Sequence, residues 1–216
     1  MIGTRLAAAI VIAVAWIYPA AASDNPQLDQ EILAIQNQWA KVYFARASDS
    51  AKEAAMARLA KTAGGVSARY RGYSEPLIWE AIVLSSQAKF NGGFGALGLV
   101  KRAKALLERG EKINPAVLDG SLYTTLGSLY HTVPGWPIGF GDDTKARYYL
   151  KRGLQTAPKD IDANYFYGDF LLAVGERRAA KKYLMRALHA PERPGRPVAD
   201  KGRRAEIRAA LKKARR

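Results

Sequence analysis

Cysteine is absent from this chain. That removes disulfides, thiolate nucleophiles, cysteine–zinc sites and a lipid-modified N-terminal cysteine. Histidine is nearly absent, His131 and His189 being the only two. No HExxH, no pair of histidines at ligand spacing and no GxSxG occurs, so the usual signatures of metal-assisted and serine-nucleophile hydrolysis are missing. Each histidine falls near the end of an expected helix, where it meets the helix dipole favourably, a structural role. Acids are scarce: 19 Asp and Glu against 34 Lys and Arg leave a net charge of +15. Such a balance favours anionic partners and says nothing about fold. Sustained two-residue alternation is missing too, which argues against strands. What remains is a 216-residue chain that is 49% hydrophobic, enough for one domain with a real core.

The N-terminus is ordered like an export signal. "MIGTRLAAAIVIAVAWIYPAAAS" carries one cation, Arg5, an apolar run from Leu6 to Tyr18 and the helix breaker Pro19. Ala20-Ala21-Ala22 supplies the small-x-small pattern of a cleavage site, with Ser23 as the first mature residue. The run is short for a spanning helix, which needs roughly 20 residues. Residues 1–22 are therefore expected to be a signal peptide, the alternative being an uncleaved anchor. The alanine-rich style is bacterial, so the expected location is the periplasm, with no membrane span left after cleavage.

The rest reads as helices in pairs. Asn25-Pro26 starts the first, and Leu28, Ile32, Ile35, Trp39 and Val42 mark its apolar face. Ser50 with Glu53 reads as a capping box for the second, which Gly64-Gly65 should stop. Ser74-Glu75-Pro76 opens the third, Asn91-Gly92-Gly93 ends it, and the fourth should run from about Ala96 to Ile113.

These helices repeat. Adding 43 to Ala103, Leu107, Gly110 and Pro115 gives Ala146, Leu150, Gly153 and Pro158. Adding 34 to the first three of those gives Ala180, Leu184 and Ala187, with Pro191 one short of its place. In the leading helices Leu126-Gly127 matches Tyr167-Gly168. Small residues there let two antiparallel helices approach closely, and the proline turns the chain into the next pair. This pattern resembles the tetratricopeptide repeat. The resemblance implies an all-α, helical-hairpin solenoid over 23–191: about four helix pairs, followed over 192–216 by a proline linker and a basic C-terminal capping helix.

Against that frame, "TVPGWPIGFGDD" (132–143) is a seven-residue insertion inside one pair, and "NGGFGALG" holds extra residues at the equivalent place of the previous one. Both contain Gly-Phe-Gly. Stacked repeats set equivalent loops side by side, so Phe94, Trp136, Ile138 and Phe140 are candidates for one apolar rim. Either they fold back and extend the core, or they form a binding rim or pocket mouth.

The whole mature chain, and particularly "GSLYHTVPGWPIGFGDDTKARYYLKRGL" and "DANYFYGDFLLA", is similar to the T component of tetratricopeptide-associated TRAP transporters. That similarity implies association with a periplasmic solute-binding protein, trimers in some members, and a ligand-sized channel through each protomer. Lipid-anchored members need a cysteine at the cleavage site, which this chain lacks.

Polar residues within the helices have two readings each. Asp169 stands in "NYFYGDF" among Tyr165, Phe166, Tyr167 and Phe170, a segment apolar all round and so expected inside. A carboxylate there needs an Arg or Tyr partner, or it is a ligand contact. Glu80, beside Trp79, is read the same way. One of Asp142-Asp143 should cap the following helix. Gly92-Gly93-Phe94-Gly95 follows a helix and lacks Gly-Lys-Ser/Thr, so it is no phosphate loop.

From Glu192 to Arg216 there are ten Lys or Arg against three Asp or Glu. "PERPGRPVAD" reads as a stiff linker. In "KGRRAEIRAALKKARR", Ile207, Ala210, Leu211 and Ala214 share a side, as a capping helix requires. A cationic surface for anionic lipid or cell-wall polymer is the other reading; nucleic acid is not expected, since no groove-reading motif occurs. The expected work is non-enzymatic, with no catalytic residue, metal or cofactor. It is either a scaffold for another periplasmic protein or a carrier with an apolar small ligand, involving Phe94, Trp136, Ile138, Phe140, Tyr165 and Asp169. Homo-oligomerisation is left open.

Overall fold

The structure is a computed structural model that describes residues 23–215. Residues 1–22, with the expected signal, lie outside the described residues, as do Arg216 and the side chain of Phe94.

The described residues are all-helical, with no strand. Helix α1 (Pro26–Tyr43) starts where expected: Asn25 caps it, its Oδ1 accepting the amide N–H of Leu28 at 3.1 Å. Helix α2 (Asp49–Arg69) departs from expectation at both ends. Ser48, not Ser50, is the cap, accepting the N–H of Ala51. Gly64-Gly65 does not stop the helix, because neither takes the left-handed conformation a stop needs. Gly64 instead makes room: a Cβ there would stand 3.4 Å from the Glu80 carboxylate. Helix α3 (Ser74–Asn91) is followed at once by α4 (Gly93–Ile113). Gly92 and Gly93 both take positive φ, a reversal glycine makes at little cost. "NGGFGALG" is therefore a tight reversal and the first turn of α4, not an insertion loop.

A short 3-10 turn (Leu118–Gly120) leads into α5 (Ser121–Thr132). Then come α6 (Asp143–Thr156), α7 (Ile161–Ala173), α8 (Arg177–Leu188) and α9 (Pro197–Ala214). None of these helices is long and apolar enough to cross a membrane. The first eight pack as pairs, and the leading helices α1, α3, α5 and α7 touch in succession. Close approach at glycine fixes the pairs. A Cβ on Gly127 would lie 2.6 Å from the Leu150 side chain, and one on Gly168 would lie 2.9 Å from Leu184. The spacing arithmetic thus corresponds to one contact made twice. Ala103, Ala146 and Ala180 are each wholly buried at the matching places.

Helix α9 docks on the body. Ile207, Ala210 and Leu211 join Ile161, Leu184 and Ala187 in a second core cluster. It also packs on α7 and, across the stack, on α1. Gly202 permits the last contact, since a Cβ there would fall 2.3 Å from the Phe44 ring. The two ends of the stack are thereby joined.

The glycines give a stability test. Gly127→Ala overpacks α5 against α6 and is expected to cost about 1–3 kcal/mol. Gly98→Ala, inside α4 with open space around it, is expected to gain about 0.5–1 kcal/mol. Urea midpoints of the two variants against the unaltered chain check both signs; an unaffected Gly127→Ala contradicts the packing described.

Candidate functional site

The leading helices do not close on one another completely. Together with α4, the loop after α5 and the start of α9, they surround a cavity of about 800 Å3. That lies within the range of small-molecule sites. Two chemistries line it. Trp39, Trp79, Tyr165, Phe166 and Phe170 form aromatic walls, and Ser121, Thr124, Thr125, Ser128 and Thr132 put a row of hydroxyls along α5. The Thr125 and Thr132 hydroxyls donate to carbonyls one turn back, at 2.7 and 2.8 Å, leaving oxygen lone pairs free to accept. The Trp39 indole N–H donates to Ser86 Oγ at 2.8 Å.

An ion network closes the α9 side. Arg203, 4% exposed, pairs with Asp162 (Nε to Oδ1, 2.5 Å) and with Glu206. It lies over the rings of Tyr165 (4.6 Å) and Phe166 (4.7 Å). Arg193 bonds to Asp162 at 2.6 Å and to Asp200 at 2.7 Å. Burial acts to raise the Asp162 pKa, but Arg193 and Arg203 outweigh it and hold the carboxyl well below its usual range. Asp160, which caps α7 through the N–H of Ala163 at 2.8 Å, is pushed up to about 6 by burial and by Asp162. Burial, with Glu206 and Asp169 nearby, pushes up the Tyr165 phenol, which stays protonated at neutral pH.

The sequence candidates divide. Tyr165, Asp169 and Ile138 border the cavity. Asp169 has none of the expected Arg or Tyr partners among the described residues; it is half-buried and faces the cavity instead. Glu80 does have a partner: it is buried and pairs with Arg102. Trp136 and Phe140 do not share a rim. Phe140 folds back, its ring edge-on to Tyr130 at 5.6 Å, whereas Trp136 is 90% exposed. The loop is doubled tightly enough to force this separation. The Gly141 N–H donates to the Pro134 carbonyl at 2.9 Å, and a Cβ on Gly141 would overlap the Val133 carbonyl oxygen. Phe94, whose side chain is outside the described residues, is not placed on any rim. Asp142 caps α6, and Asp143 bonds to His131 Nδ1 at 2.9 Å.

Arg196, Arg203 and the α5 hydroxyls escape a reading of sequence. Two arginines among ten C-terminal cations look like solvated charge. The one available signal is Gly202, a glycine inside a helical pattern, which marks a close approach.

No protein-family model matches this chain, and no curated protein does.

The ion network yields a pH test. A carboxyl raised on folding binds its proton more tightly in the folded state, so Asp160 costs stability as pH rises from about 4 to about 6. Asp160→Asn keeps a capping oxygen and removes the charge. Its stability relative to the unaltered chain is expected to rise across that window and level off above it. Urea midpoints at intervals from pH 4 to pH 7 measure this; a difference that does not change with pH contradicts it.

Proposed function

We propose that this protein is a non-enzymatic binder of a small, largely apolar molecule, held in the cavity between the leading helices. The observation that carries this reading is the cavity itself: about 800 Å3, walled by aromatic side chains in the middle of the stack. The recurrent glycine–leucine contacts support a tetratricopeptide-type stack. The export signal read in residues 1–22 supports a periplasmic location for the binder. There it serves as a carrier or as the ligand-holding accessory of a solute-uptake system.

A second reading, a docking scaffold, is favoured by one observation. Trp136 is 90% exposed and Ile138 64% exposed at the tip of the doubled loop, and aromatic residues held this way are typical anchors for a protein partner. Ile138 also borders the cavity, so a partner seated on the loop would sit at the cavity's edge.

Two measurements separate these readings. Ser128 lines the cavity from α5, and Ser128→Trp fills it. The variant is expected to lose fluorescence-detected binding of N-phenyl-1-naphthylamine by about tenfold or more while keeping its helical circular dichroism. Undiminished binding excludes the cavity as the site. Trp136→Ala is expected to change stability by less than about 0.5 kcal/mol and to leave probe binding intact. Lost probe binding in that variant makes the loop part of the ligand site rather than a docking tip.

A further inference from the structure

Most charged groups around the cavity are paired within the protein. Arg203 pairs with Asp162 and Glu206, Asp160 faces Arg193, and His131 bonds to Asp143. Lys89 is exposed and donates to the Tyr43 hydroxyl at 2.5 Å. Two charged groups are left over, Arg196 and Asp169. Arg196 forms no ion pair among the described residues, and its Nε–H is buried without an acceptor. The indole N–H of Trp79, over whose ring the Arg196 guanidinium sits at 5.3 Å, is also buried without one. Neither donor has a hydrogen-bond partner, although Asp160 and Asp162 are near enough for Arg196 to feel their charge, and native interiors rarely leave buried donors so. Asp169 is the opposite case: a carboxylate with no hydrogen bond or ion pair among the described residues, flanked on its own helix by Tyr165, Phe166 and Phe170.

The leftover cation and anion stand at different levels. Burial and Arg193 push the Arg196 pKa down to about 10, with Asp162 and Asp160 acting against them, so the group is charged at neutral pH and close enough to the start of α7 to feel its carboxylates. Asp169 lies two turns further along α7 than Asp162, about 10 Å at 1.5 Å per residue. Between the two levels the wall holds Tyr165 and Phe166, with the paired Arg203 over their rings.

We propose that the ligand is dipolar: an anionic group at Arg196, a cationic amine at Asp169, and an apolar chain of about 10 Å between them. This rests on the cavity reading above and narrows its ligand to one chemical class. A charge left in an apolar wall is costly until paired. A single molecule that supplies both partners is neutral overall and brings no net charge into the cavity. The acid gains in addition from the fork of the guanidinium.

Calorimetric titration of the mature chain with 8-aminooctanoate, octanoate and octylamine tests this. The amino acid spans the two levels and is expected to bind at least about tenfold more tightly than either single-ended probe, the effect of one charge-assisted hydrogen bond. 4-Aminobutanoate is too short and should lose that advantage. Asp169→Asn should reduce 8-aminooctanoate to the affinity of octanoate, and Arg196→Gln to that of octylamine. The ligand series on the unaltered chain decides even if a variant fails to fold. Octanoate or octylamine binding as tightly as 8-aminooctanoate overturns the dipolar ligand and leaves the cavity reading standing. Binding of N-phenyl-1-naphthylamine with none of the three probes does the same. No binding of any probe, the naphthylamine included, overturns both.

Discussion

Arg203 is the hinge pin of this molecule. It belongs to α9, yet its guanidinium is buried among the aromatic rings of α7 and a carboxylate at the start of that helix, one residue from the glycine that lets α9 meet α1. A charge so placed is tolerated only if its partners are in position. The consequence is dependence of the last helix on the others: α9 docks only where α7 and the end of α1 are already in place. The same docking brings Arg196 to the cavity. Without it the stack would be open along one side and its aromatic walls exposed to water.

Legibility in the sequence followed physical range. Helices, pairs and repeat phase could be read because each depends on neighbours within a turn or a hairpin. Leu28, Ile32, Ile35 and Trp39 stay on one face because of α-helical periodicity, and all are buried. Signals with more than one physical cause were misread. Gly64 and Gly65 looked like a stop, but a glycine also serves close packing, and the Glu80 carboxylate lies against Gly64. "NGGFGALG" looked like a loop because only the backbone reveals that two glycines suffice for the reversal.

The site was legible in halves. Tyr165 and Asp169 stood out because a carboxylate among aromatics is anomalous by itself. The Arg or Tyr partner expected for Asp169 came from the general cost of burying charge, but the side chain is only half-buried and borders the cavity, with no such partner among the described residues. Arg196 and Arg203 were hidden because their burial depends on contacts between opposite ends of the chain, which no local pattern encodes. In the doubled loop, the glycines predicted a turn, but which aromatic would face inward was set by Val133 and Tyr130.

The contact between Gly202 and Phe44 also has a kinetic meaning. Its residues are separated by most of the chain, whereas the glycine–leucine contacts join neighbouring helices. Loop closure over such a separation carries the largest entropy cost in the molecule. Helix pairs can therefore organise early from local interactions, while the union of the two ends comes late. The cavity is thus the last feature the polypeptide acquires, and whatever occupies it acts on the final step of folding rather than the first.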